Sequence, residues 1–143
     1  MAYGQPLSPE ILITCEAPTI AGTTTIDSTA LDCAGFTGVM FIVRLGTAAA
    51  NNDIRVQQDV VVGMGAAADM AGTKVASVAN NVCVVEYLLS GAPAEQFVRC
   101  RVTRGTSTTI DGVTAIRFGS KNQPTTLTGL SFESWNSAAE GTA

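Results

Sequence analysis

Two neighbouring stretches read EQFVRCRVTRGT (Glu95–Thr106) and TIDGVTAIRFG (Thr109–Gly119). Apolar and polar residues alternate in both, and the short link between them is rich in Gly, Ser and Thr. Such alternation is typical of a β-strand with one buried and one exposed face. We interpret the pair as a β-hairpin whose arginines face outward.

Strand signals continue outward from this pair along most of the chain. Gly38–Leu45 is apolar on both parities, which predicts a central strand covered on both sides. Residues 54–62 alternate, and the positions predicted to face inward are Ile54, Val56, Val60 and Val62. Short strands at regular spacing, separated by turn residues, predict an all-β fold, an antiparallel β-sandwich or barrel.

The chain of 143 residues has the length of one domain. Strand patterning weakens toward both ends, so we expect extended N- and C-terminal arms. The predicted organisation is an N-terminal arm at residues 1–20, a sandwich domain at residues 21–124 and a C-terminal tail at residues 125–143.

Charged residues make up only 14% of the chain, against about 25% in a typical domain. This scarcity suggests a surface of uncharged polar side chains, part of which is buried in an assembly. A net charge of −4 argues against nucleic-acid binding, which needs dense Lys and Arg. The longest apolar run, Val39–Val43, is far too short to span a membrane.

Residues that could carry catalysis are missing from the sequence. It contains no histidine, which removes the commonest general base and most metal sites. Asp27 and Asp32 offer only two carboxylates, too few for a hard-cation site, and we interpret them as turn or capping residues. We therefore predict no catalytic, cofactor-binding or metal-binding residue, and a protein that is not an enzyme.

Four cysteines lack the CxxC spacing of metal and redox sites: Cys15, Cys33, Cys83 and Cys100. Met1–Glu10 has no basic and apolar leader pattern, so we expect synthesis and folding in a cytoplasm. That compartment favours free, mostly buried thiols, and disulfides formed after release remain an alternative.

Two kinds of residue are candidates for an interface. The first is the outward-facing row of side chains on the predicted hairpin, where an aromatic side chain stands beside arginines. The second is the group of large side chains in the polar terminal segments, which either cap the domain's own core or anchor in a partner. The candidates are Tyr3, Pro6, Leu7, Phe97, Arg99, Arg101, Phe132 and Trp135.

The phrases FVRCRVTRGT (residues 97–106) and DGVTAIRFG (residues 111–119) resemble small virion proteins of tailed bacteriophages. The resemblance covers residues 23–124 and also includes TIDS (25–28), GF (35–36), FIVRLG (41–46) and the closing residues 138–143. Proteins of this kind are encoded among head genes and are thought to be capsid decoration, or cement, proteins.

The resemblance implies a β-domain on the outside of a phage head, often a trimer, that binds the major capsid protein. Its terminal arms would tie neighbouring subunits together against the pressure of packaged DNA. It would be made in the bacterial host and located in the virion. The alternatives are a head–tail joining or tail structural protein and, from another class, a stand-alone ligand-binding β-sandwich. The last would need an exposed aromatic platform, and the chain has one Trp and two Tyr.

Overall fold

The structure is a computed structural model that describes residues 10–47, 50–77, 82–89, 96–105 and 107–121. These residues form eleven β-strands and no α-helix. In chain order the strands are β1 (Ile11–Glu16), β2 (Thr19–Gly22), β3 (Ile26–Asp27), β4 (Leu31–Asp32), β5 (Gly38–Leu45), β6 (Asn52–Asp59), β7 (Ala68–Asp69), β8 (Val75–Ser77), β9 (Val82–Leu88), β10 (Phe97–Thr103) and β11 (Thr108–Phe118).

The strands form two antiparallel sheets that pack face to face, so the all-β prediction is confirmed and the fold is a sandwich. The first sheet has the order β1-β11-β5-β9, with β2 also paired to β11. The second has the order β3-β10-β6-β7, with β4 on β10 and β8 on β6. β5 lies between β11 and β9, as the apolar pattern on both of its faces predicts.

The predicted hairpin is wrong, because its two strands belong to different sheets. β10 pairs with β6 from Phe97 opposite Asp59 to Thr103 opposite Asp53, whereas β11 pairs with β5 and β1. Alternation identifies the buried face of a strand but not the strand beside it. In a sandwich both inner faces meet in one core, so strands from opposite sheets carry the same pattern.

The short link between β10 and β11 carries the chain from one sheet to the other. Arg104 is buried there, and its guanidinium donates to the backbone carbonyls of Thr24 and Ile20 at 2.7 Å and of Thr108 at 3.1 Å. Gly105 donates its N–H to the Asn52 side chain at 2.8 Å. These bonds satisfy the polar groups of a buried corner and hold it in place.

The core lies between the sheets. Each fully buried aliphatic or aromatic side chain contributes about 1.5–3 kcal/mol from leaving water. The largest fully buried aliphatic and aromatic side chains of this core are Val39, Phe41, Val43, Leu45, Ile54, Val56, Val98, Val102 and Ile110.

Two strands of the first sheet lie in or next to the segment predicted as the N-terminal arm. Ile11–Glu16 pairs along its whole length with β11, and Thr19–Gly22 pairs with the start of that strand. The boundaries of the predicted arm, domain and tail stay a prediction. Residues 1–9 and 122–143 lie outside the described residues, and so does the predicted tail at 125–143.

Candidate interaction surfaces

The arginines of β10 face outward on the second sheet and are paired with a carboxylate. Arg101 donates two hydrogen bonds, at 2.6 and 2.7 Å, to the carboxylate of Asp27, which lies directly opposite it on β3. Arg99 lies 3.1 Å from the same carboxylate, and its side chain is only 14% exposed. The hydrogen bond from Arg101, followed by the positive charge of Arg99, lowers the pKa of Asp27.

This pairing extends across the outer face of the second sheet. Arg99 donates to the Gln57 side chain at 2.9 Å, and Gln57 donates to Asp69 at 2.6 Å. Asp69 also accepts from Arg55 at 2.9 Å. The arginines thus hold β3, β6, β7 and β10 together. An interface role for Arg99, Arg101 and the half-buried Phe97 stays a prediction.

A loop after β6 presents three consecutive valines to solvent. Val60, Val61 and Val62 are 65%, 56% and 60% exposed, so the inward orientation predicted for Val60 and Val62 is wrong. The strand β6 ends at Asp59, where the chain leaves the sheet although the sequence alternation continues to Val62. We call residues 60–66 the valine loop.

Asp59 fixes the valine loop from its base. One carboxylate oxygen accepts from the Val61 N–H at 3.1 Å and the other from the Ala66 N–H at 2.9 Å. These backbone bonds, with that of Ala66 the strongest, lower the pKa of Asp59, so it is ionised at neutral pH. Met64 is buried beneath the loop and donates its N–H to the Val61 carbonyl at 3.0 Å. The valines are therefore displayed on a preformed backbone.

The outer face of the first sheet, which we call the apolar face, is a second surface where apolar side chains lie outside the core. The core-facing residues of β5 alternate with Met40 and Ile42, which point away from the core together with their cross-strand partners. Apolar residues occupy most positions in the rows that cross β1, β11, β5 and β9. They are Ile11, Phe118 and Leu88, then Ile13, Ile116 and Met40, then Cys15, Ile42 and Val84, and finally Val82.

One end of the apolar face is hollowed into a groove of about 370 Å³. Met40, Ile116 and Phe118 supply apolar walls, and the groove is also lined by Glu10 and Glu86. The ring of Phe118 lies over Gly38, where a side chain would otherwise stand. The groove therefore combines an apolar floor with two carboxylates that can accept hydrogen bonds.

The cysteines are free thiols with different exposures. Cys33, Cys83 and Cys100 are buried, and Cys15 is exposed. Burial raises the pKa of Cys33 to about 11 and that of Cys100 to about 12, so these two thiols stay protonated at neutral pH. Cys100 is the core residue that strand parity predicts.

Within the described ranges, no cluster of three or more His, Cys, Asp or Glu side chains is placed to bind a metal ion. None of the elements described is a helix with the length and hydropathy to cross a membrane. Asp32 accepts a hydrogen bond from the Ala34 N–H at 2.9 Å, the turn role predicted for it. The same prediction for Asp27 is wrong, because Asp27 lies on β3 and pairs with Arg99 and Arg101.

The predicted interface residues of the termini lie outside the described residues. They are Tyr3, Pro6, Leu7, Phe132 and Trp135. Sequence reasoning missed the valine loop and the groove. The signals for them were Val61, which breaks the alternation of its neighbours, and the second apolar parity of β5, which implies a covered outer face.

Comparison of the chain with protein-family models, with curated proteins and with solved structures gave no match. Function is therefore inferred from the geometry of these surfaces and from the resemblance carried by the sequence.

Proposed function

We propose that this chain is a structural protein of a tailed-phage virion, a decoration protein that binds the outer surface of the head and strengthens it against internal DNA pressure. Its partner is the major capsid protein. It is made in the cytoplasm of the bacterial host, acts as a homo-oligomer, with a trimer favoured, and performs no catalysis. The resemblance of residues 23–124 to small virion proteins supplies the phage assignment.

The observation that carries a binding role is the valine loop. Apolar side chains on a loop already fixed by hydrogen bonds lose little conformational entropy when they are covered. Asp59 provides that fixation through the N–H groups of Val61 and Ala66. Three adjacent valines exposed by more than half form a small, rigid apolar projection suited to a shallow pocket on a partner protein.

The outer face of the second sheet supports the same role in a different way. Its arginines and aspartates are paired with each other across four strands, so the sandwich reaches a partner with its framework already rigid. A protein that reinforces a shell benefits from such rigidity, because little binding free energy is spent on ordering it.

Binding to purified phage heads that lack the protein tests the proposal. We expect wild-type protein to bind, and Val61→Glu to bind at least about tenfold more weakly, because a charge would be buried at the contact. Ile20→Glu is the matched control, since Ile20 is 87% exposed on β2, outside the valine loop.

Circular dichroism and thermal unfolding would check that both variants keep the wild-type fold. Failure of the wild-type protein to bind heads contradicts the decoration role. Equal binding by wild type and Val61→Glu would instead remove the valine loop from the contact.

A further inference from the structure

The apolar face of the first sheet points away from the core and has the chemistry of a covered surface. We propose that it is the docking site for the C-terminal segment Leu127–Trp135 of the same chain, with the groove receiving the large side chains of that segment. This inference goes beyond the proposed function and does not depend on it.

The chemistry of the segment matches that of the face. Residues 122–143 are mostly small and polar, and their large apolar side chains fall within nine residues, at Leu127, Leu130, Phe132 and Trp135. The groove offers about 370 Å³ lined chiefly by apolar side chains. A buried indole N–H needs an acceptor, and the carboxylates of Glu10 and Glu86 stand at the groove to provide one.

The chain that leads to this segment leaves the last strand beside the groove. Phe118, the last residue of β11, and Gly119, which follows it, both line the groove. Lys121 is fixed beside this end by its N–H bond to the Gly35 carbonyl at 2.8 Å. Six further residues reach Leu127 and span at most about 20 Å, which is about the length of the apolar face along its strands.

The size of the face favours a short segment over a second copy of the chain. Four strands about 4.8 Å apart, with rows about 6.8 Å apart, give an area of roughly 300–400 Å². A stable interface between two proteins buries about 800 Å² on each partner. The face is therefore too small to hold a dimer together by itself, and it fits one extended segment.

Residues 1–9 are the competing segment of this chain, because Glu10 also lines the groove. They carry fewer large apolar side chains, chiefly Tyr3 and Leu7. A protein lacking residues 1–9 therefore belongs in the test. We expect its Trp135 to stay as shielded as in the wild type, since the C-terminal segment does not need the other end of the chain.

Trp135 is the only tryptophan of the chain, so its fluorescence reports the position of the segment directly. In the native full-length protein we expect an emission maximum to the blue of that in urea, and quenching by acrylamide severalfold weaker than in urea. Met40→Glu and Ile116→Glu should each move the emission toward the unfolded value. Val61→Glu is the control, because it adds the same charge to the valine loop, outside the apolar face, and should leave the emission of Trp135 unchanged.

The signal should be independent of protein concentration, since the docking is within one chain. The proposal is overturned if Trp135 in the native wild type is quenched as readily as in urea. It is also overturned if both substitutions on the face leave the emission unchanged while circular dichroism shows a folded protein. A blue shift that disappears on dilution would assign the face to a neighbouring copy and contradict intrachain docking.

Discussion

At the scale of single residues, sequence parity predicted the orientation of the β10 side chains but not their partners. Val98, Cys100 and Val102 are buried and the arginines between them face outward, as alternation indicates. The carboxylate that Arg101 binds belongs to Asp27, 74 positions earlier in the chain. No local pattern links such distant positions, so the ion pair could not be predicted before the strand order was known.

Asp27→Asn should destabilise the protein. The substitution leaves Arg99 and Arg101 without their shared carboxylate, and both arginines are partly shielded from solvent. Charge-assisted hydrogen bonds of this kind contribute about 1–2 kcal/mol after allowance for partial exposure. Urea unfolding measures the change in the free energy of unfolding.

Arg44→Gln is the control for that measurement, because Arg44 is exposed on the first sheet, away from the network. It should change stability by less than about 0.5 kcal/mol. Equal stabilities of Asp27→Asn and wild type would show that the network contributes nothing to folding.

At the scale of strands, the sequence was sufficient to identify the long elements and their buried faces, but not their neighbours. β5, β10 and β11 coincide with the predicted alternating or apolar runs, whereas β6 begins two residues before the run predicted at 54–62 and ends three residues before its end. The hairpin prediction was wrong because strands of opposite sheets share one core and therefore one pattern. The inward orientation predicted for Val60 and Val62 was wrong because their sequence continues the alternation of β6 after the chain has left the sheet.

Gly38 marks a close approach between strands that no alternation reveals. A Cβ at this position would meet the Phe118 ring and lie 3.0 Å from the Tyr87 carbonyl oxygen on β9. Because backbone cannot yield easily, we expect Gly38→Ala to destabilise the protein by about 1–3 kcal/mol. Thermal or urea unfolding provides the measurement.

Gly63→Ala is the matched control, since nothing lies within 4 Å of a Cβ added there. Its effect should stay below about 1 kcal/mol. A Gly38→Ala protein as stable as Gly63→Ala would mean that Phe118 and β9 move aside without loss of stability, contrary to this expectation.

At the scale of the whole molecule, the sequence predicted a sandwich and an assembly role, while the candidate surfaces emerged only from the three-dimensional arrangement. The apolar face is composed of residues from four strands far apart in the chain, and the groove is lined by residues near both ends of the described chain, Glu10 and Gly119. Neither could be assembled from local patterns. The low charge content is consistent with the exposed apolar side chains that the structure shows. That part of this surface is buried in an assembly stays a prediction.

Stability should be insensitive to pH near neutrality and fall in acid. The pKa values of Asp27, Asp59 and Asp69 are all lowered below the ordinary 3.8, chiefly by hydrogen bonds from Arg101, the Ala66 N–H and Gln57. Their stabilising contributions are complete above that value and are lost as pH falls through the lower, folded-state pKa values. The chain also has no histidine to titrate near neutrality.

Thermal unfolding between about pH 7 and about pH 2 tests this expectation. The midpoint should be nearly constant down to about pH 5 and drop steeply below about pH 4. A drop concentrated between about pH 7 and about pH 5 would point to other groups and contradict the assignment to these aspartates.

The measurement that most directly tests the central claim is electron cryo-microscopy of the native phage particle with and without this protein. The decoration role predicts added density over the outer surface of the head, at junctions between capsid subunits, that fits the sandwich and disappears when the protein is absent. Density confined to the head–tail junction or to the tail, or particles identical with and without the protein, would contradict it.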